Sequence, residues 1–535
     1  MKGDLLHEFA VSHRGTQLLF TLSNRFCAAV FVVFLVVSGC SGGSQNAASV
    51  NIDDMYIAPA GQSVTIVCGA EADGENVIYQ WYESSDTSTS GGTAIDGATD
   101  RSFGTPVFTE KGIRFYYCTA ASEKNGDVST SKIATVAYTG LPTVYIDTPD
   151  NIEITSKNDW IKNAEISVAG AKDESWNSGK VETSIRGRGN STWEKPKKPY
   201  AVKLKKAQKV MGMSSHKRWV LLANYMDGSF MRNETAFYLS RTFEMEWTAS
   251  GEFADLVLNG RYQGLYWFGE SVKVDKNRID IDDGHENMTD GEDKDYLIEM
   301  DTYFDETLRF RSAVKYLPYM IKNDGRMVDE SDRITSGGKA RLDRLQKKIN
   351  DLEELLYSGQ PDESYAEIID IDSWVKFWLV NEIMDNKELS RPKSAFFTFD
   401  SANNVLKAGP VWDFDWTFSY WLQCQLQDAI YYDALFKSPA FISGIRDVWK
   451  KYRDRIDIET TLESMRNKIS VAAEYDAMLW GSHTDSGNPG IIGEGDFDSG
   501  NPGIIREGDF DSSVNMLKEK LLKKISVVNL FVNNL

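Results

Sequence analysis

Histidine and cysteine are scarce in this chain of 535 residues, with five of each. No two histidines form a ligand-like pair, which argues against a zinc hydrolase of the histidine-ligated kind. Basic residues are also short: 59 Lys and Arg stand against 79 Asp and Glu, for a net charge of −20. General nucleic-acid binding depends on neutralising phosphates with Lys and Arg, so that class is excluded, and the charge reads as solubility. Long apolar runs are missing as well. The most apolar stretch, Phe26 to Val37, is shorter than the ~20 residues of a spanning helix.

That run follows Arg25 and ends in Val37-Ser38-Gly39-Cys40. It has the length of a signal-peptide core. A cysteine just after small residues resembles a bacterial lipobox. The resemblance implies removal of residues 1–39 with Cys27, lipidation of Cys40, and a mature chain anchored to a bacterial cell membrane outside the cytoplasm. Residues 40–49 read as a Gly/Ser tether.

From about 50 to 139 short strand-like runs alternate with Gly, Asp, Ser and Asn clusters. Cys68, Trp81, Tyr116 and Cys118 fall in an order and spacing that resemble an immunoglobulin-like sandwich. The resemblance, with the extracytoplasmic address, implies a disulfide between Cys68 and Cys118. Cys424 is then left over and reads as a buried free thiol. Nothing in this segment looks catalytic, so it is a spacer or a binding module.

Residues 142–535 contain the chemistry. Lys407 to Trp416, KAGPVWDFDW, places Asp413 and Asp415 two apart among aromatics. Two such carboxylates are costly to bury without a counter-charge. A Mg²⁺ ion held by one or two carboxylates plus phosphate oxygens would supply it. In a strand both side chains would share one face; an Asx-rich turn remains the alternative. Arg186 to Lys206 is a basic stretch in an acidic chain and reads as an anion site or a solvated strand. Further on, the pattern predicts a strand, a turn at Asp227-Gly228 and an amphipathic helix from about Ser229. Asn259-Gly260 marks a hairpin tip. Helices are expected over 338–358 and 371–384.

RGRGNSTW, KKPYAVKL, LLANYMDGSFMRN, LNGRYQGLYWFGE and GPVWDFD occur in that order. Together they resemble the spore-coat CotH family, whose fold is similar to a protein kinase. The expected fold class is therefore multidomain: an all-β immunoglobulin-like sandwich, then an α+β two-lobed kinase-like domain. The resemblance implies ATP with Mg²⁺ or Mn²⁺ and phosphorylation of Ser on an exported or surface protein by a monomeric chain. Lys203 matches the strand lysine that holds nucleotide phosphates. Glu234 would orient it, with Arg188 and Glu270 at the nucleotide. Asp413 matches the metal-ligating aspartate, and Asp415 assists.

The catalytic segment departs from the family pattern. Aligned on the downstream aromatic strand, Glu388 takes the place of the catalytic aspartate, and Lys393 that of a small polar residue five positions later. Lysine is a donor only and cannot ligate a metal as asparagine does; it can pair with a phosphate or with Asp413. Asp385 could replace Glu388 through a one-turn shift. An active phosphotransferase, a nucleotide-binding pseudokinase and a surface lipoprotein acting through its immunoglobulin-like segment all stay open. Finally, DSGNPGIIGEGDF at 485–497 recurs as DSGNPGIIREGDF at 498–510, which reads as a slipped duplication in a surface loop.

Overall fold

The structure is a computed structural model that describes residues 49–51, 55–71, 76–124, 126–171, 179–283, 294–323, 327–329, 331–359, 361, 363–418, 423–480 and 509–535. The lipobox with Cys40, and all of the repeat except Asp509 and Phe510, lie outside the described residues. No helix among the described residues is long and apolar enough to cross a membrane. The chain divides into two compact units. One holds Ile66–Phe103, Tyr116–Ile133 and the described residues ahead of Asp53; the other holds Asp53–Thr65, Gly104–Phe115 and Ala134–Leu535.

The first unit is built of short strands, among them Val77–Ser84 and Val128–Thr130. Trp81 is fully buried and stacks on Phe103 at 5.5 Å, and Phe103 lies 5.3 Å from Tyr116. Cys68 and Cys118 are both buried, but as free thiols, which corrects the expected disulfide. The resemblance and the compartment implied the bond; in the structure Cys118 Sγ donates to the Thr119 carbonyl at 3.4 Å. Cys118, ahead of nearby Arg101, holds the Cys68 thiol below its usual range, while Cys68 and burial push the Cys118 thiol up. Cys424, in the other unit, is free and half-buried, and burial raises its thiol.

The second unit contains a closed barrel. Its strands are β1 (Thr143–Asp147), β2 (Ile161–Ala169), β3 (Val181–Gly187), β4 (Tyr200–Val210), β5 (Met213–Leu222), β6 (Gly251–Leu258) and β7 (Arg261–Glu270). The order is β1-β2-β3-β4-β5-β7-β6, and a parallel β1–β6 pairing closes it. Strand alternation explains the interior: Ile185, Val202, Leu204, Trp219 and Leu221 point inward and are buried. The intervening residues of β5, Val220 and Leu222, face outward into the larger core. Asn259 (φ 51°) and Gly260 (φ 75°) make the β6–β7 turn with both central residues in the left-handed region, as an Asn-Gly hairpin requires.

An antiparallel five-stranded sheet follows, with β8 (Tyr296–Met300), β9 (Arg309–Arg311), β10 (Pro318–Ile321), β11 (Ala395–Asp400) and β12 (Val405–Ala408) in the order β9-β10-β8-β11-β12. The longer helices are α1 (Arg232–Thr242), α2 (Ser336–Tyr357), α3 (Ile371–Ile383), α4 (Pro439–Tyr452), α5 (Ile458–Trp480) and α6 (Phe510–Asn534). α1 starts three residues later than expected. Asp227 accepts from Ser229 N and from Arg232 N at 2.9 and 2.8 Å, so its side chain holds the turn that leads into the helix. Nor is α1 amphipathic: Arg232, Asn233, Thr235, Phe237 and Leu239 are all buried, so several faces are covered.

α3 is apolar nearly throughout and runs through the core, capped by Asp370, which accepts from Ser373 N at 2.7 Å. Its end leads into a buried ion cluster. Lys524 of α6 lies 2.7 Å from Glu382 and 3.2 Å from Asp385 and donates to the Gln423 carbonyl at 3.0 Å. All three charged groups are almost wholly shielded from solvent, and Lys524 supplies positive charge to both carboxylates.

Candidate active site

A cleft of about 610 Å³ runs between the outer face of β3–β5 and the segments 299–306, 388–396 and 412–416. Asp413 and Asp415 line it together, but not as neighbours on a strand. They lie in the loop after β12, and Asp413 has φ 65°. A non-glycine residue in that left-handed region is uncommon and marks a backbone held by its surroundings. Here Asn233 of α1 does the holding. Its Oδ1 accepts from Phe414 N at 2.9 Å, and its Nδ2 donates to Asp415 Oδ1 at 2.6 Å. Arg232 adds a bond from Nη1 to the Asp415 carbonyl at 3.1 Å.

Burial raises the Asp413 carboxyl above its ordinary range, while nearby Arg188 opposes the shift. Burial first, and the Asp413 charge second, push Asp415 up to about 7. Arg188 arrives from the turn after β3, where its guanidinium lies 5.8 Å from the Trp412 ring centroid. Gly187 and Gly189 make this turn feasible. A Cβ on Gly187 would come within 2.3 Å of the Trp193 ring; Gly189 has φ 84°.

Glu388, in the short turn Lys387–Ser390, faces the same cleft. Its carboxylate lies 3.4 Å from Lys393 Nζ. Burial and then Asp413 push its carboxyl up to about 8, against the pull of Lys393. Ser394 donates to Asp413 Oδ2 at 3.4 Å. Asp385 does not line this cleft; its carboxylate lies 3.2 Å from Lys524.

Among the described residues, no three His, Cys, Asp or Glu side chains form a ready metal cage. The carboxylates nevertheless fit a Mg²⁺ or Mn²⁺ ion that arrives with phosphate oxygens and water. The Asp413 charge raises the proton affinity of both Asp415 and Glu388, and Asp415 adds to the effect on Glu388, a repulsion that a divalent cation would relieve.

Three expected nucleotide contacts lie elsewhere. Lys203 is exposed on β4 and does not line the cleft; it stands opposite Arg218 of β5, farther along the same sheet face. Glu234 points away from the cleft, accepting from Trp267 Nε1 at 2.9 Å and pairing with Arg241. Glu270 is buried, accepts from Ser250 N at 3.1 Å and faces Arg278 at 3.9 Å. The residues after it, Ser271, Val272 and Lys273, line the cleft instead. The sequence reading missed Asn233 and the Glu299–Lys322 pair, which spans 2.8 Å at the cleft wall. Asparagine carries no charge to attract notice, and Glu299 and Lys322 are distant in sequence.

No curated protein matches the chain. Among solved structures, the PKD domain of human KIAA0319 matches 19% of this chain and 91% of that one, at 16% identity and a TM-score of 0.14, too low to support an assignment. The family model described as CotH kinase protein matches residues 185–524. That span takes in Arg188, Asn233, Glu388, Asp413 and Asp415, and the chain belongs to the CotH kinase family.

Proposed function

We propose that the second unit binds ATP with Mg²⁺ or Mn²⁺ and transfers its terminal phosphoryl group to a serine of an exported protein. The observation that supports this reading is the convergence of Arg188, Asp413, Asp415 and Glu388 on one cleft. Phosphoryl transfer is chiefly positioning and charge neutralisation, and these residues offer both. Asp413 and Asp415 would hold the cation, which when bound would supply charge neutralisation at the phosphate oxygens. Arg188, beside them, suits bidentate binding of phosphate. Glu388 takes the proton of the serine hydroxyl as its oxygen bonds to phosphorus and the bond to the departing ADP breaks. Lys393, 3.4 Å away, favours the carboxylate form of Glu388 against burial and orients it.

In this reading the chain is a lipoprotein anchored through Cys40, with an immunoglobulin-like segment that presents the catalytic unit away from the membrane. Titration calorimetry of ATP into the full mature chain with Mg²⁺, with Mn²⁺ and without metal is the test. Metal-dependent binding that disappears in Asp413→Asn is the expected result. No binding under any condition would overturn the reading. Binding without transfer to any serine would make the chain a nucleotide-binding pseudokinase, a role that the Glu388–Lys393 pair also suits.

A further inference from the structure

The outer face of the barrel carries a basic cluster that the proposed chemistry does not use. Strand register puts Arg186 of β3 opposite Ala201 and Lys203 of β4 opposite Arg218 of β5. Facing partners in a sheet share one surface, so Arg186, Lys203 and Arg218 stand on the same side. Like charges directly opposite are destabilising. The cost shows in the groups themselves: Arg218 heads the influences that lower Lys203, and burial, then Arg186, lower Arg218.

Below them lies Trp160. The Arg186 guanidinium is 4.8 Å, and that of Arg218 5.0 Å, from its ring centroid. At these distances cation–π attraction holds both guanidinium groups at the ring. Arg186 Nη1 is bonded to the Lys157 carbonyl at 2.7 Å, but its buried Nε has no partner. Among the described residues no carboxylate pairs with Arg186, Lys203 or Arg218. In a chain of net charge −20 that omission is conspicuous. Arg186, Arg218 and Trp160 border the same cleft as Asp413.

We propose that this cluster is a phosphate-binding subsite for a phosphorylated residue of the acceptor protein. Three cations exceed what one carboxylate can neutralise. A phosphate monoester has a charge of about −1.5 to −2 and three acceptor oxygens, enough for two guanidinium forks and an ammonium. The inference rests on the phosphotransfer reading and extends it: phosphoserine made in one turnover docks here and directs the next serine to Glu388. The protein would then favour acceptors that already hold phosphate.

The test is fluorescence anisotropy of a labelled phosphoserine peptide on the full mature chain, compared with the same peptide bearing serine, at saturating Mg²⁺ and a non-hydrolysable ATP analogue. The expected result is tighter binding of the phosphopeptide by about 10- to 100-fold, lost in the Arg186→Gln/Arg218→Gln double variant. Undiminished discrimination in that variant would overturn the proposal. So would displacement of the phosphopeptide by the analogue, which would give the cluster to the nucleotide's own phosphates. Should the double variant fail to fold, Arg186→Lys/Arg218→Lys keeps the charges but loses the forks, and a partial loss of discrimination is expected. If ATP binds under no condition, the phosphotransfer reading fails, while the phosphopeptide comparison without analogue still decides this one.

Discussion

Asn233 donates to Asp415 at 2.6 Å and, through its other amide atom, accepts from the backbone between the two cleft aspartates. One neutral side chain on α1 thus fixes both the loop and one carboxylate. Groups that orient metal ligands typically cost about 10- to 100-fold in metal affinity when removed. Asn233→Ala is expected to weaken Mn²⁺-dependent nucleotide binding by that order, with secondary structure retained. Calorimetry beside far-ultraviolet circular dichroism measures both, and unchanged affinity would refute the role.

Aligned on the downstream aromatic strand, Lys393 takes the place of the small polar residue, such as the asparagine that in protein kinases meets a second cation. Its ammonium lies 3.4 Å from Glu388 and also acts on Asp413. A resident positive charge there predicts one Mn²⁺ per bound nucleotide, and two in Lys393→Asn. Counting free Mn²⁺ by electron paramagnetic resonance at saturating nucleotide analogue decides it; two ions in the unaltered protein would count against the idea.

The Lys524–Glu382–Asp385 cluster is buried on all three members. Removing the lysine would leave two carboxylates without their cation, a change that typically costs about 3–5 kcal/mol. Lys524→Met is therefore expected to lower the urea midpoint markedly. A midpoint within error of the unaltered protein would show that the carboxylates find other relief.

Asp255 is fully buried, accepts from Thr139 and from Tyr262 at 3.0 Å, and burial pushes its carboxyl up to about 7. Its unfolded value is the ordinary one, so between the two the folded state retains a proton that the unfolded state has released. The stability this confers is present at low pH and is lost as pH rises through 7. Between pH 6 and 8 the loss is about 1.4 kcal/mol. Asp255→Asn should remove that share of the pH dependence, seen as a smaller gap between its denaturation midpoints at the two pH values.

The sequence made some features plain and hid others for physical reasons. The Asn259-Gly260 hairpin and the long helices α2 and α3 are local, decided by turn residues and periodicity, and the structure has them where expected. Barrel closure is not local: β1 pairs with β6 in parallel across more than a hundred residues. The cleft carboxylates were legible because acidic pairs among aromatics are costly. Glu234 was chosen for its charge, yet successive helix residues point about 100° apart, and Asn233 faces the site. Lys203 was chosen from a motif, but strand register sets it beside Arg218 on the rim.

The cation that balances Asp385 is encoded 139 residues after it, on the last helix of the chain. Everything that lines the cleft is translated earlier. A nascent chain can hold Arg188, Glu388 and both aspartates before Lys524 has emerged, with Glu382 and Asp385 still lacking their shared counter-ion. A chain cut short anywhere before Lys524 would therefore carry every residue that lines the cleft, yet leave Glu382 and Asp385 short of the charge that α6 brings to them.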